Sequence, residues 1–268
     1  MEITAATVMQ LRNKTGLSMM ECKKALVEAG GDMDKAEDIL RKAMKGKLDA
    51  KGDKPSGEGR VAIAMGAKGA SLIELRANTD FTTKNESFIN LAQRLADAAL
   101  LAPVGAYTPA AAEQAAIDDL RIKTGETIAL ARGQHVAGGA SVVFGAYVHH
   151  DGKTGALARA EGDVTPETLK QVCMHIVAAT PTPKGVSATD IPAAIVDRER
   201  KFRIEQAMES GKPKEIAEKM VEGGMRKFFE EISLLEQPYV LDPTKKVKDL
   251  VGPAKVTNFW RWAVGEQV

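Results

Sequence analysis

Aromatic side chains are scarce in this chain, at 4% of 268 residues. That excludes a binder of single-stranded nucleic acid built on stacked rings. An excess of charge is missing too: 37 basic groups stand against 36 acidic ones, a formal net charge of +1. A grip on nucleic acid through many phosphates needs clustered Lys and Arg, so no direct nucleic-acid partner is expected. There are only 2 cysteines, Cys22 and Cys173, far apart in sequence. They exclude a disulfide framework and any CxxC zinc or redox motif, and they suit a reducing compartment. No run approaches the roughly 20 apolar residues that span a bilayer. Met1-Glu2-Ile3-Thr4 lacks the basic and then apolar pattern of a signal peptide. A cytoplasmic chain without a membrane partner is the expectation.

The motifs of common enzyme chemistry are absent as well. Gly152-Lys153-Thr154 matches the second half of a phosphate-binding loop, but Tyr147 stands where the first glycine belongs, so a hairpin turn is expected there. No GxGxxG, GxSxG or HExxH pattern occurs. The histidines are His135, His149, His150 and His175. Placed on one strand, His149 and His150 point to opposite faces and cannot share an ion. On a helix Cys173 and His175 diverge by about 200°. Neither a catalytic residue nor a metal site nor a cofactor is expected.

What the chain does have is 44% hydrophobic and 27% charged residues, the balance of a folded soluble domain. Residues 1–48 read as a three-helix domain. Val8 and Leu11 share a face of the first helix, which Thr15-Gly16 ends. Ser18 and Glu21 form a capping box. Cys22, Ala25, Leu26 and Ala29 then recur at helical spacing. Gly30-Gly31 stops that helix, and Ala36, Ile39, Leu40 and Ala43 line the next. Residues 49–59 are polar and glycine-rich and read as a linker.

The pattern next alternates as strands do: Val61, Ile63 and Met65, a turn at Lys68-Gly69-Ala70, then Leu72, Glu74 and Leu75. A helix follows with Phe88, Leu91, Ala92, Leu95 and Ala99 inward, and another near 109–123. Strand-like segments return at Thr127–Ala131, Ser141–His149 and Ala156–Ala160, and Thr165-Pro166-Glu167 starts a helix to about Ala179. Core subdomains at 60–140 and 141–262 are expected, giving an α+β fold. Residues 192–231, where basic and acidic groups balance, read as an inserted antiparallel helical hairpin broken at Ser210-Gly211-Lys212-Pro213. Ala217, Val221, Met225, Phe228 and Ile232 form its coiled-coil-like seam. Alternation around Tyr239-Val240-Leu241, a short helix near 245–251 and a strand near 255–264 complete the chain.

Two segments are more distinctive than the rest. One is Leu11-Arg12-Asn13-Lys14-Thr15-Gly16 with Met19-Met20-Glu21-Cys22-Lys23-Lys24-Ala25-Leu26; the other is Asn78-Thr79-Asp80-Phe81. Both resemble bacterial elongation factor Ts, the guanine nucleotide exchange factor of elongation factor Tu. The resemblance continues through Lys123-Thr124-Gly125-Glu126, Met174-His175-Ile176, the run from Ser210 to Gly223, Gln237-Pro238-Tyr239-Val240 and Val264-Gly265-Glu266. It implies a ubiquitin-associated-like N-terminal domain, a core of two α+β subdomains, and a helical hairpin inserted in the second. It implies no chemistry of the chain's own. The implied partner is elongation factor Tu, bound in its GDP and nucleotide-free states, from which GDP and magnesium are loosened so that GTP can enter.

The resemblance also implies roles for residues. Asp80 and Phe81, with Thr79 before them, would reach the nucleotide domain of the partner, Phe81 as a wedge and Asp80 as a disturbance of the magnesium surroundings. Read without the family, Asp80 is a helix cap and Phe81 is core. Arg12, Met19, Met20 and Lys23 match positions that contact the same domain; by pattern alone, one of the two methionines is core and the other surface. Gly125, His149, Val240 and Leu241 match further contacts. The chain departs from the family at Thr124, where an apolar residue is familiar, and at Thr82-Thr83-Lys84, where Val-Ala-Lys is more usual. Some members continue past the last match with a helix that touches the partner; that contact is not expected of this chain. The rival reading is an adaptor that tethers a translation component without nucleotide exchange. A hydrolase using Asp80 and His149 is the weakest. Self-association through the hairpin stays open.

Overall fold

A computed structural model describes residues 3–50, 57–209, 211 and 213–266. Residues 51–56 of the expected linker, and Ser210 and Lys212 of the expected helix break, lie outside the described residues. The fold is α+β and forms two compact units. One takes the residues up to 64, 71–136 and those from 264 on; the other takes 65–70 and 137–263.

The first unit begins with α1 (Ala5–Thr15), α2 (Met19–Glu28) and α3 (Met33–Ala50). Gly16, at φ 73°, ends α1 in the left-handed conformation that favours glycine. Ser18 and Glu21 close the expected capping box at the start of α2. Val8, Leu11, Leu17, Cys22, Leu26, Ala36 and Leu40 bury together, and Ile122 from farther along the chain joins them.

The chain next forms β1 (Glu58–Gly66), β2 (Gly69–Ala77), α4 (Asp80–Lys84), α5 (Glu86–Leu101), β3 (Gly105–Ala106), α6 (Ala111–Thr124) and β4 (Ala129–Ala137). The strands form one sheet in the order β1-β2-β4-β3. β2 is buried along almost its whole length. Phe88, Leu91, Ala92, Leu95 and Ala99 of α5 bury with Ile73 and Leu75, as the helical spacing predicts. Burying each large side chain contributes about 1.5–3 kcal/mol. β4 runs farther than the expected Thr127–Ala131. The added residues include Gln134 and His135, which pair with Ala106 and Gly105 of β3, and Arg132 within the strand reaches the fully buried Glu74 at 2.7 Å, a tertiary contact that no apolar period announces. Arg76 meets the same carboxylate at 2.7 Å, and the Gly265 N–H donates to it at 3.1 Å.

The second unit holds β5 (Val142–Val148), β6 (Thr154–Glu161), α7 (Pro166–Ala178), α8 (Ala193–Glu209), α9 (Lys214–Ile232), β7 (Pro238–Tyr239), β8 (Asp242–Lys246), α10 (Val247–Val251) and β9 (Lys255–Ala263). β5, β6 and β9 form an antiparallel sheet with β6 central. α7 lies on it through Leu169, Val172, Cys173 and Ile176. Gly145 permits this approach, because a Cβ there would meet the Leu169 Cβ at 2.3 Å. The Cys173 thiol donates to the Gly145 carbonyl at 3.1 Å. Burial raises its pKa, so the thiol stays neutral and structural. α8 and α9 bury Ala207, Val221 and Met225 against each other, with Ala217 and Phe228 beside them.

Candidate functional site

The most distinctive corner of the first unit follows β2. Thr79 caps α4 from an extended backbone (φ −127°, ψ 154°), its Oγ1 accepting the Thr82 N–H at 3.4 Å. The corner is held from a distant loop. Glu126 Oε2 accepts the N–H of Asn78 at 3.2 Å and of Thr79 at 3.1 Å, and Glu126 Oε1 accepts the Thr79 hydroxyl at 2.6 Å. Asn78 Oδ1 returns the bond by accepting the Thr127 N–H at 2.7 Å. Gly125 aims Glu126: it caps α6 at φ 70°, with its N–H on Arg121 O at 2.8 Å.

On this clamped turn Asp80 and Phe81 point outward. Phe81 is 84% exposed, so it is not core. Thr82 and Thr83, behind it, are buried. Asp80 bonds Lys84 at 2.7 Å, and that hydrogen bond is the main reason its carboxyl is held below the usual carboxylate range. The carboxylate is therefore ionised at neutral pH. An exposed aromatic ring thus stands on a short, doubly held helix, with a fixed negative charge beside it.

The N-terminal helices carry a second group. Met19 and Met20 open α2 with exposures of 38% and 77%. Both face outward, against the expectation that one is core; Cys22, Ala25 and Leu26 take the inward positions. Lys23, also exposed, follows one turn later on the same side. Arg12 is exposed in the last turn of α1. Arg41 on α3 bonds Asp119 on α6 at 2.5 Å, so the small bundle rests on α6.

The second unit contributes two separate turns. His149 lies just past β5, with His150 beside it in the turn. The pair is therefore not spread over two faces of a strand: the ring centroids are 4.1 Å apart. His149 Nδ1 meets Asp151 at 3.1 Å, and Gly152 turns the chain toward β6 at φ 74°. Val240 and Leu241 form the turn between β7 and β8 rather than a strand. Leu241 is 66% exposed, while the Val240 N–H is held by His175 Nδ1 at 3.3 Å.

The structure thus brings Thr79, Asp80, Phe81 and Gly125 into one corner and groups Met19, Met20 and Lys23 on one helix end. Sequence reasoning gave no role to Glu126, Asn78, His175 or Gln237. Glu126 and Thr79 are 47 residues apart, and no local period links them. No group of His, Cys, Asp and Glu among the described residues could hold a metal ion. Nor is any described helix long and apolar enough to cross a membrane.

The sequence profile of the family described as Elongation factor TS matches residues 78–266, beginning at the clamped corner itself. The chain belongs to the elongation factor Ts family. It is 42% identical to Elongation factor Ts of Haemophilus ducreyi, over 100% of this chain and 93% of that protein. To Elongation factor Ts of Vibrio cholerae it is 40% identical, over 100% and 94% of the two chains. The protein of the same name in Thioalkalivibrio sulfidiphilus is 39% identical, again over 100% and 94%. Membership places this chain in translation elongation, a step of protein biosynthesis.

Proposed function

We propose that this chain binds elongation factor Tu carrying GDP and promotes release of GDP and magnesium, so that GTP can bind. The observation that carries the reading is Phe81, an aromatic ring exposed on a helix held by Thr79 and Glu126. Packed helices switch between discrete arrangements, so a rigid wedge can move a partner's nucleotide site from one to another. The ionised Asp80 beside it brings negative charge toward a phosphate and magnesium site. Met19, Met20, Arg12 and Lys23 enlarge the contact from the N-terminal helices. Methionines adapt to partner surfaces with little loss. Gly125, His149, Val240 and Leu241 add contacts that hold the partner.

The chain acts without bond chemistry of its own, by linkage. If it weakens GDP binding tenfold, GDP weakens its binding tenfold, about 1.4 kcal/mol. Contacts spread over several patches let the ternary complex form and dissolve. Release of fluorescent GDP from elongation factor Tu, followed by stopped flow, tests the proposal. Acceleration that grows with concentration of this chain is expected. Phe81→Ala should remove most of it and cost about 2 kcal/mol of binding. Binding without acceleration would favour the tethering adaptor instead.

A further inference from the structure

The Val240–Leu241 turn is tied to a buried hydrogen-bond chain whose proton positions are determined by its ends. Gln237 is buried, and its amide nitrogen donates to two backbone carbonyls, Pro181 O and Glu231 O, both at 2.7 Å. Both partners can only accept, so the Gln237 amide has one orientation, with Oε1 toward His175 Nε2 at 2.9 Å. Oε1 can only accept, so Nε2 carries the proton. His175 is itself buried, and its remaining nitrogen, Nδ1, is left with a lone pair that accepts the Val240 N–H at 3.3 Å. One neutral tautomer satisfies every member. The other tautomer, or the imidazolium, sets an N–H against the Val240 N–H.

We propose that His175, oriented by Gln237, is a positioning residue for the Val240–Leu241 turn, so that engagement of a partner by this turn is linked to the proton state of Nδ1. The inference rests on the reading above that Val240 and Leu241 touch elongation factor Tu. Several charged groups near α7 pair with one another rather than with His175. Glu236 is held by Lys246 at 2.7 Å and Lys248 at 3.0 Å, and Asp242 by Lys245 at 3.1 Å. Arg159 and Glu161 on β6 pair at 3.0 Å, and the Asp249 carboxylate accepts the Lys246 N–H at 2.8 Å. Glu231 enters through its backbone oxygen. On α7 itself Lys170 pairs with Glu167 at 3.5 Å. The Tyr239 ring lies 6.1 Å away and its phenol is neutral at these pH values. Burial therefore governs the ring and lowers its pKa, with the Gln237 bond opposing.

Two measurements test this. Nitrogen-15 NMR of the full free chain, from pH 7.5 to 5, reads the tautomer and the Val240 amide directly. A protonated Nε2, a bare Nδ1, and a Val240 amide that titrates in step with the imidazole are expected. A protonated Nδ1 at neutral pH, a Val240 amide that ignores the imidazole, or a ring that stays neutral to pH 5 would overturn the proposal. The second measurement is calorimetric binding to elongation factor Tu at pH 7.5 and 5.5. His175→Asn keeps an acceptor near the position of Nδ1 but has no proton to gain. Wild type should lose affinity on acidification, by at most about tenfold per pH unit for one proton, and His175→Asn should lose less. Identical profiles overturn the linkage. Leu241→Ala isolates the underlying reading: if it binds as wild type, the turn is not a contact, and the NMR result alone judges the positioning role.

Discussion

Removing the Glu126 carboxylate is the most direct way to ask whether the Phe81 protrusion must be held. In Glu126→Ala the N–H groups of Asn78 and Thr79 and the Thr79 hydroxyl lose acceptors at 3.2, 3.1 and 2.6 Å. A hydrogen bond to a charged group contributes about 1.5–3 kcal/mol. The site is half-buried, so water replaces part of what is lost. The cap from Thr79 to Thr82 and the burial of Thr82 and Thr83 remain. A net penalty of about 1.5–2 kcal/mol on the presented conformation is therefore expected. Apparent affinity falls by the factor by which the binding-competent state becomes rarer, here at most about tenfold to thirtyfold. Glu126→Gln keeps one acceptor oxygen and should lose only about threefold. The assay is GDP release from elongation factor Tu at subsaturating concentrations of the variant, beside hydrogen exchange at the Asn78 and Thr79 amides. Wild-type exchange activity in Glu126→Ala, with those amides deprotected, would refute the claim that a rigid presentation of Phe81 matters. Unchanged protection would refute the clamp itself.

Other perturbations separate stability from function. Phe81→Ala should leave thermal stability within about 0.5 kcal/mol of wild type, because the ring is 84% exposed; a large drop in melting temperature would mean it packs inside. Glu74→Ala removes the buried carboxylate that Arg76, Arg132 and the Gly265 N–H share and leaves a gap in its place. Denaturant titration should show a loss of about 3–5 kcal/mol. Gly145→Ala drives a methyl into Leu169 on α7, and a loss of about 1–3 kcal/mol is expected in the same assay. The pH dependence of stability carries a sign. Burial lowers the His175 pKa in the fold, so its contribution is fully present above the unfolded value of about 6.5 and declines as pH falls toward the folded value. Chemical denaturation between pH 7.5 and 5 should show that decline in wild type and less of it in His175→Asn.

Much of this protein was legible in the chain alone, because its signals are local. Ser18 with Glu21, and Thr165-Pro166, start helices through bonds within three residues of the cap. The period of Phe88, Leu91, Leu95 and Ala99 marks the buried face of α5, since one helix face must leave water. The missing catalytic and cofactor motifs are likewise a property of sequence. The motifs from Leu11 to Leu26 and from Asn78 to Phe81 carry the family.

Only tertiary structure decided which of those residues stand free and what holds them. Phe81 reads as core by pattern, and it is exposed because Glu126, far along the chain, keeps the corner turned outward. Met19 and Met20 both face outward because Cys22, Ala25 and Leu26 occupy the inward stripe of a ten-residue helix. Glu74 looks like the polar position of an alternating strand. It is buried because two arginines, one of them on β4, neutralise it there. The tautomer of His175 depends on carbonyls at Pro181 and Glu231. Hydrogen bonds between distant segments obey no sequence period, so the residues that present the site become visible only when the chain has folded.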